Sequence, residues 1–185
     1  MNMDSKYTTF IIEGIDRIGK DTLINNIIDR FGYHNTVHYS KPKELSAYNF
    51  SLEAFQRASF AIGFNFILCQ RATPFIVPTV FNRFHLGEAV YSDLYRNYDG
   101  NYVFEMEEIF GVEHTEHVKL ILLTTSDFSL LSDDNQSFNF GNKEREQKLF
   151  LNAFDKSIFQ HKQIIDVNSN GKFKDSFKVF EEAIA

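Results

Sequence analysis

The sequence predicts a three-layer α/β domain built on a five-stranded parallel sheet. Strand-sized apolar runs alternate with helical segments, the runs are nearly continuous in apolar character, and a glycine-containing loop separates the first strand from the first helix. A strand that is apolar at successive positions, rather than at every second one, is buried on both faces and needs helices on each side of the sheet. At about 150 residues per domain, the 185 residues are expected to form a single domain over 1–185, with no internal repeat.

Phe10-Ile11-Ile12 is a short buried strand, followed by the glycine-containing turn and a helix over 20–30. Thr36-Val37-His38-Tyr39 is a second, weaker strand. The span 52–68 has apolar residues at helical spacing, with Gly63 as its one breaker. Phe75-Ile76-Val77-Pro78-Thr79-Val80-Phe81 is the third strand, and Pro78 marks a bulge or a local break because proline cannot donate to a ladder. Helices are expected over 86–97 and 102–110. Val118-Lys119-Leu120-Ile121-Leu122-Leu123 is the clearest buried strand in the chain. A polar segment, 132–142, leads into a helix over 143–159. Gln163-Ile164-Ile165-Asp166-Val167 is the last strand, and 173–185 the last helix.

Composition narrows the function classes. Hydrophobic residues make up 43% and charged ones 24%, which excludes a disordered chain or a collagen-like fibre. The 19 Lys+Arg against 25 Asp+Glu give a net charge of −6, without the global positive field of a dedicated nucleic-acid binder. No apolar run is long enough to cross a membrane, and the first nine residues lack a signal-like apolar core, so a cytoplasmic protein with no membrane partner is expected. Cys69 is the only cysteine, which precludes an intrachain disulfide or a cysteine zinc site. Its neighbours Ile67 and Leu68 suggest buried filler.

The chemistry is concentrated directly after the first strand, in Glu13-Gly14-Ile15-Asp16-Arg17-Ile18-Gly19-Lys20-Asp21-Thr22. Gly14, four residues, then Gly19-Lys20 is the phosphate-binding loop pattern in its strand–loop–helix setting. Glycines let successive amide N–H groups turn inward toward phosphate oxygens, and the following helix adds its positive N-terminal end. The loop from Gly14 to Thr22 is therefore the expected ATP site, with Lys20 supplying a full charge to the terminal phosphates. The residue after the lysine is ordinarily Ser or Thr, whose hydroxyl meets Mg²⁺; here it is Asp21, followed by Thr22. An acid in a first helical turn is accounted for by the helix dipole alone. The functional reading makes Asp21 a magnesium ligand, with Glu13 as a second carboxylate. Arg17 can spread charge over the transferred phosphoryl in a loose transition state.

This loop resembles that of the thymidylate kinases, members of the nucleoside monophosphate kinase group, matching them at Glu13, Gly14, Asp16, Gly19 and Lys20. The resemblance implies a P-loop NTPase fold with strand order 2-3-1-4-5. It also implies that Asp16 meets the acceptor's 3′-hydroxyl and that Arg17 reaches the transferred phosphoryl. The family shows Asp-Arg-(Tyr/Phe/His) at the end of the third strand, where this chain has Asn82-Arg83-Phe84-His85. Arg83 would then clamp the acceptor phosphate, the residue type suited to bidentate phosphate binding. The change to Asn82 removes one metal- or water-organising carboxylate.

The run His85 to Arg96 is similar to a segment of phage-encoded thymidylate-kinase-like proteins. On a helix Glu88, Tyr91 and Tyr95 share one face that could line the acceptor pocket or serve as an ordinary amphipathic face. On the 52–68 helix, where the family recognises its base, Gln56, Phe60 and Phe64 share a face with Arg57 at its edge. Arg57 and Phe60 are the candidates there, and core packing accounts equally for the phenylalanines. The resemblance also places a mobile lid around 132–145, which would exclude water from the site. Arg145 is its candidate cation, although flanking Glu144 and Glu146 also fit a solvated helix face.

Three readings follow. The first is transfer of the ATP γ-phosphoryl to a deoxynucleoside monophosphate, with dTMP the best candidate, using Mg²⁺ and no nucleic acid. The second keeps the chemistry and changes the acceptor to a nucleoside or a hydroxymethyl-pyrimidine, including one within DNA. The third is a nucleotide-binding protein that has lost catalysis, with Asp21 and Asn82 as its support. A homodimer is implied by the resemblance.

Overall fold

The structure, a computed structural model, describes residues 6–32, 35–39, 51–72, 78–131 and 140–185. Five parallel strands form one sheet in the order β2-β3-β1-β4-β5: β1 (Thr9–Glu13), β2 (Asn35–His38), β3 (Thr79–Asn82), β4 (Val118–Thr124) and β5 (His161–Asp166). Every residue of β1 and β4 is buried, as expected of central strands covered on both faces, whereas β2 at one edge alternates between half-buried and exposed. This is the architecture expected from the sequence.

Helices cover both faces. α1 (Lys20–Phe31) packs on α6 (Ser176–Ile184), while α2 (Leu52–Ala72), α3 (His85–Tyr95), α4 (Tyr102–Phe110) and α5 (Lys143–Lys156) pack on one another, α2 and α3 on α4 and α3 on α5. Gly32 ends α1 in the left-handed conformation, φ 67°, and its N–H reaches the Ile28 carbonyl at 2.8 Å. Gly63 lies inside α2 because the helix runs close to Phe84: a Cβ there would stand 2.6 Å from that ring.

Several expected boundaries move. β3 begins after Pro78, and 73–77 lie outside the described residues. α5 ends at Lys156, three residues early. The last helix starts at Ser176 rather than 173, behind an Asp175 side chain that accepts the Phe177 N–H at 2.9 Å. Phe173 belongs instead to a small antiparallel hairpin, β6 (Asn168–Ser169) and β7 (Lys172–Phe173), turning at Asn170-Gly171, both with positive φ. An Asn-Gly pair such as this is a strong short-range hairpin signal. Cys69 is exposed, not buried filler, because it falls on the outer side of α2. The lid expected around 132–145 falls largely on 132–139, outside the described residues.

Candidate active site

The parallel strands end together, and the loop after β1 sits at that edge, where open α/β sheets bind ligands. Gly14 takes φ 138°, and a Cβ there would meet the Leu123 carbonyl oxygen at 2.7 Å. Gly19 takes φ 94° as the residue before α1. Both glycines of the motif are thus required by backbone geometry. Ile15 and Ile18 are buried and anchor the loop in the core.

Lys20 is buried, and its amine donates to the carbonyls of Gly14 at 2.8 Å and Ile15 at 2.6 Å. Burial, followed by the nearby Arg83 guanidinium, pushes its pKa down to about 8. Arg83 pairs with Asp16, tying the end of β3 to the loop. Asp21 and Thr22 are exposed in the first turn of α1, and Asn82 Nδ2 donates to Asp21 Oδ1 at 2.8 Å.

Glu13, the second carboxylate expected at a metal, uses one oxygen within the protein, while its buried Oε2 has no hydrogen-bond partner among the described residues. It is wholly buried, and its Oε1 accepts the N–H groups of Phe84 at 2.9 Å, Leu86 at 3.0 Å and Gly87 at 3.4 Å. Burial raises its pKa above the ordinary carboxylate value. Glu13 therefore satisfies the orphan donors at the start of α3, a structural task that holds the β3–α3 turn bearing Arg83.

The loop is a wall shared by two groups of cavities. One cavity lies between Arg17, Ile18, Gly19 and Thr22 on the loop side and Val167, Phe173 and Val179 near the hairpin and α6. On the other side, Asp16, Arg83, Tyr91, Tyr95, Arg96 and Lys143 line a second cavity. Next to it, Tyr39, Gln56, Phe60, Arg83, Glu88 and Tyr91 line a third. Phe60 stacks on Tyr39 with centroids 5.0 Å apart. Tyr91 is half-buried, and the loss of solvent around its hydroxyl raises its phenol pKa far above the ordinary value.

Some candidates fall elsewhere. Arg57 pairs with Glu53 at 2.9 Å and stacks over Tyr102 at 3.9 Å; Gln56, its neighbour, takes the cavity-facing place. Glu88 is held by the hydroxyls of Tyr98 at 2.6 Å and Tyr102 at 2.9 Å and by Arg96. Its oxygens are thus engaged within the protein, and Arg96 is the charged group that it aims at both cavities. Arg145 is exposed. The cation that α5 turns into the site is Lys143, buried and 3.1 Å from Glu146, whose other oxygen accepts the Tyr95 hydroxyl at 2.6 Å. Nothing in the sequence pattern marks Lys143 over Arg145, since both lie in the first turn and the choice depends on how α5 docks.

No family model matches the chain, and neither does any curated protein. Among solved structures it is similar to the YorR protein of Bacillus subtilis, determined in complex with phosphorylated GDP. The two share 14% identity over 85% of each chain, with a TM-score of 0.56. The likeness and the strand order above show a three-layer α/β fold around a five-stranded parallel sheet.

Proposed function

We propose that the chain is a nucleotide kinase that moves the γ-phosphoryl of ATP to the phosphate of a deoxynucleoside monophosphate, with dTMP the first candidate. The observation that carries this reading is the phosphate-binding loop standing between two sets of cavities, which suits a donor on one side and an acceptor on the other. The nucleotide bound to YorR, a protein of the same fold, supports a nucleotide ligand.

On this reading the donor's phosphates lie along Gly14 to Thr22, and its base enters the cavity beside Phe173. An acceptor phosphate oxygen attacks the γ-phosphorus, the bond from that phosphorus to the β,γ-bridging oxygen breaks, and ADP leaves. Lys20 exchanges its loop carbonyls for phosphate oxygens, and Arg17, Arg83 and Lys143 neutralise charge that spreads over the transferred group. Arg83 and Asp16 place the acceptor in line, a task worth as much as charge stabilisation in this chemistry. Phe60, Tyr39 and Gln56 offer an aromatic face and an amide to a base. Asp21 and Thr22 would hold a divalent cation, which supplies screening and polarisation of the donor phosphates. The cytoplasmic setting and the homodimer remain part of this proposal; light scattering on the purified protein measures the second.

ADP release assayed across the nucleoside monophosphates, thymidine and hydroxymethyl-pyrimidine substrates tests the reading, with Lys20→Ala as control. Turnover with dTMP that is lost in Lys20→Ala is expected. Turnover with only thymidine or a hydroxymethyl-pyrimidine reassigns the acceptor, and nucleotide binding without any turnover leaves a binding protein.

A further inference from the structure

P-loop proteins ordinarily hold their divalent cation between the hydroxyl after the loop lysine and a carboxylate from a neighbouring strand. This chain has neither. The residue after Lys20 is Asp21, and the tip of β3, paired directly with β1, carries the amide of Asn82. The two departures touch, Asn82 Nδ2 to Asp21 Oδ1 at 2.8 Å, although 61 residues separate them. Each change alone would alter the charge of the place by one unit. Together they leave one carboxylate, moved from the strand to the helix.

The donor atoms fit a hard cation. Among the described residues, Asn82 Oδ1 is buried with no hydrogen-bond partner, and Asp21 is exposed, with Asn82 engaging one of its oxygens. Carboxylate and amide oxygens are the ligands Mg²⁺ and Mn²⁺ take. The charges around the pair are mixed: Lys20, Arg83, Asp16 and His38 all lie within electrostatic reach, and burial and then Arg83 hold the His38 imidazole below its ordinary pKa. Two cations beside the pair disfavour a bare metal ion, so the cation should bind together with nucleotide phosphates.

We propose that Asp21 is the direct anionic ligand of a nucleotide-bound divalent cation, and that Asn82 is the positioning residue that aims it. This inference rests on the nucleotide reading above. It goes further in assigning the two residues to each other: either one restored singly to the ordinary pattern damages the site, and both restored together repair it.

The test is Mn²⁺ with ADP, followed by electron paramagnetic resonance and by calorimetry with and without the metal. The proteins are wild type, Asp21→Ser, Asp21→Asn, Asn82→Asp and the double variant Asp21→Ser/Asn82→Asp. Asp21→Ser and the near-isosteric Asp21→Asn should each lose roughly tenfold or more of the Mn²⁺-dependent gain in ADP affinity. Asn82→Asp places two carboxylates in contact and should weaken metal-free ADP binding severalfold. The double variant should return to within about threefold of wild type, a non-additive outcome expected of contacting residues. Equal Mn²⁺ dependence in wild type and both Asp21 variants overturns the proposal, as does a double variant whose losses simply add. Absence of ADP binding in wild type under all conditions overturns the nucleotide reading itself, and this inference with it.

Discussion

Arg17 and Arg83 hold backbone φ angles of 70° and 64°; the other non-glycine residues with positive φ among the described ones are Asn97 and Asn170, a type that tolerates it. For a long side chain this conformation costs on the order of 1 kcal/mol and persists only where the surroundings enforce it. At Arg83 the enforcement is visible, since its N–H reaches the Ile12 carbonyl at 3.0 Å while its guanidinium is pulled to Asp16. If this arrangement clamps the acceptor, Arg83→Ala should raise KM for the monophosphate roughly a hundredfold, the equivalent of about 2–3 kcal/mol for a lost charged hydrogen bond. KM for ATP should change far less, and steady-state kinetics with each substrate varied in turn measures the split. Lys143 and Arg145 make a second comparison. The buried Lys143 shares a cavity with Arg83, whereas Arg145 faces solvent, so Lys143→Ala should lower kcat at least tenfold, by about the 1.4 kcal/mol that a tenfold change requires. Arg145→Ala should leave kcat within about twofold, as surface charges of this kind contribute little.

At the scale of elements, two buried carboxylates fasten α3. Glu13 closes its first turn from β1, and Glu107 of α4 meets His85, the first residue of α3, at 2.5 Å with both side chains fully buried. Their contact is not aligned as a hydrogen bond, and Glu107 finds its alignment instead with the Ser157 hydroxyl at 2.6 Å and the Ile158 N–H at 2.8 Å. Burial alone would raise the Glu107 pKa, but His85, Ser157 and Ile158 outweigh it and hold it below the ordinary value. A carboxyl depressed in the folded state contributes stability above its unfolded pKa and loses it as pH falls through the folded one. The Glu107 contribution to the urea midpoint should therefore shrink as pH falls from 6 toward 3, while the raised pKa of Glu13 acts in the opposite sense, so the difference between wild type and Glu107→Gln isolates it. Glu107→Gln should start lower at pH 6, by up to about 3–5 kcal/mol for a broken buried pair, and vary less with acid. Because α3 carries Tyr91 and Glu88 and follows Arg83 directly, the same variant should also weaken acceptor binding.

For the molecule as a whole, one sheet edge presents the loop, the β3 tip and the start of α3 to cavities on both sides. A ligand that bridges these elements binds the folded chain and not the unfolded one. At a hundred times its dissociation constant it adds about 2.7 kcal/mol to stability. For a domain of this size each kcal/mol moves the melting temperature by about 2–4 °C, so saturating ATP with Mg²⁺ should raise it by roughly 5–10 °C. Calorimetry should show one transition before and after, as a single domain over 1–185 requires; two transitions would divide the chain.

The strands and the loop were legible because their causes are local. β1 and β4 read as unbroken apolar runs since both lie inside the sheet, and Gly14 and Gly19 stand where the backbone must turn left-handed. β2 was weaker in the sequence for the matching reason that, among the described residues, one edge of it meets no strand. Strand order came from the motif's resemblance, not from periodicity, because apolar pattern reports burial and not neighbours. What docking decides stayed hidden. Whether Gln56 or Arg57 faces the cavity, and whether Lys143 or Arg145 does, depends on a helix's rotation of about 100° per residue, set by contacts far away in sequence. Glu13 is an acid in the loop motif by sequence and the cap of α3 by structure, and Asp21 and Asn82 become one pair only when β3 comes to lie beside β1. Patterns spaced within a few residues are written in the chain, whereas contacts across 61 residues exist only once the sheet has assembled.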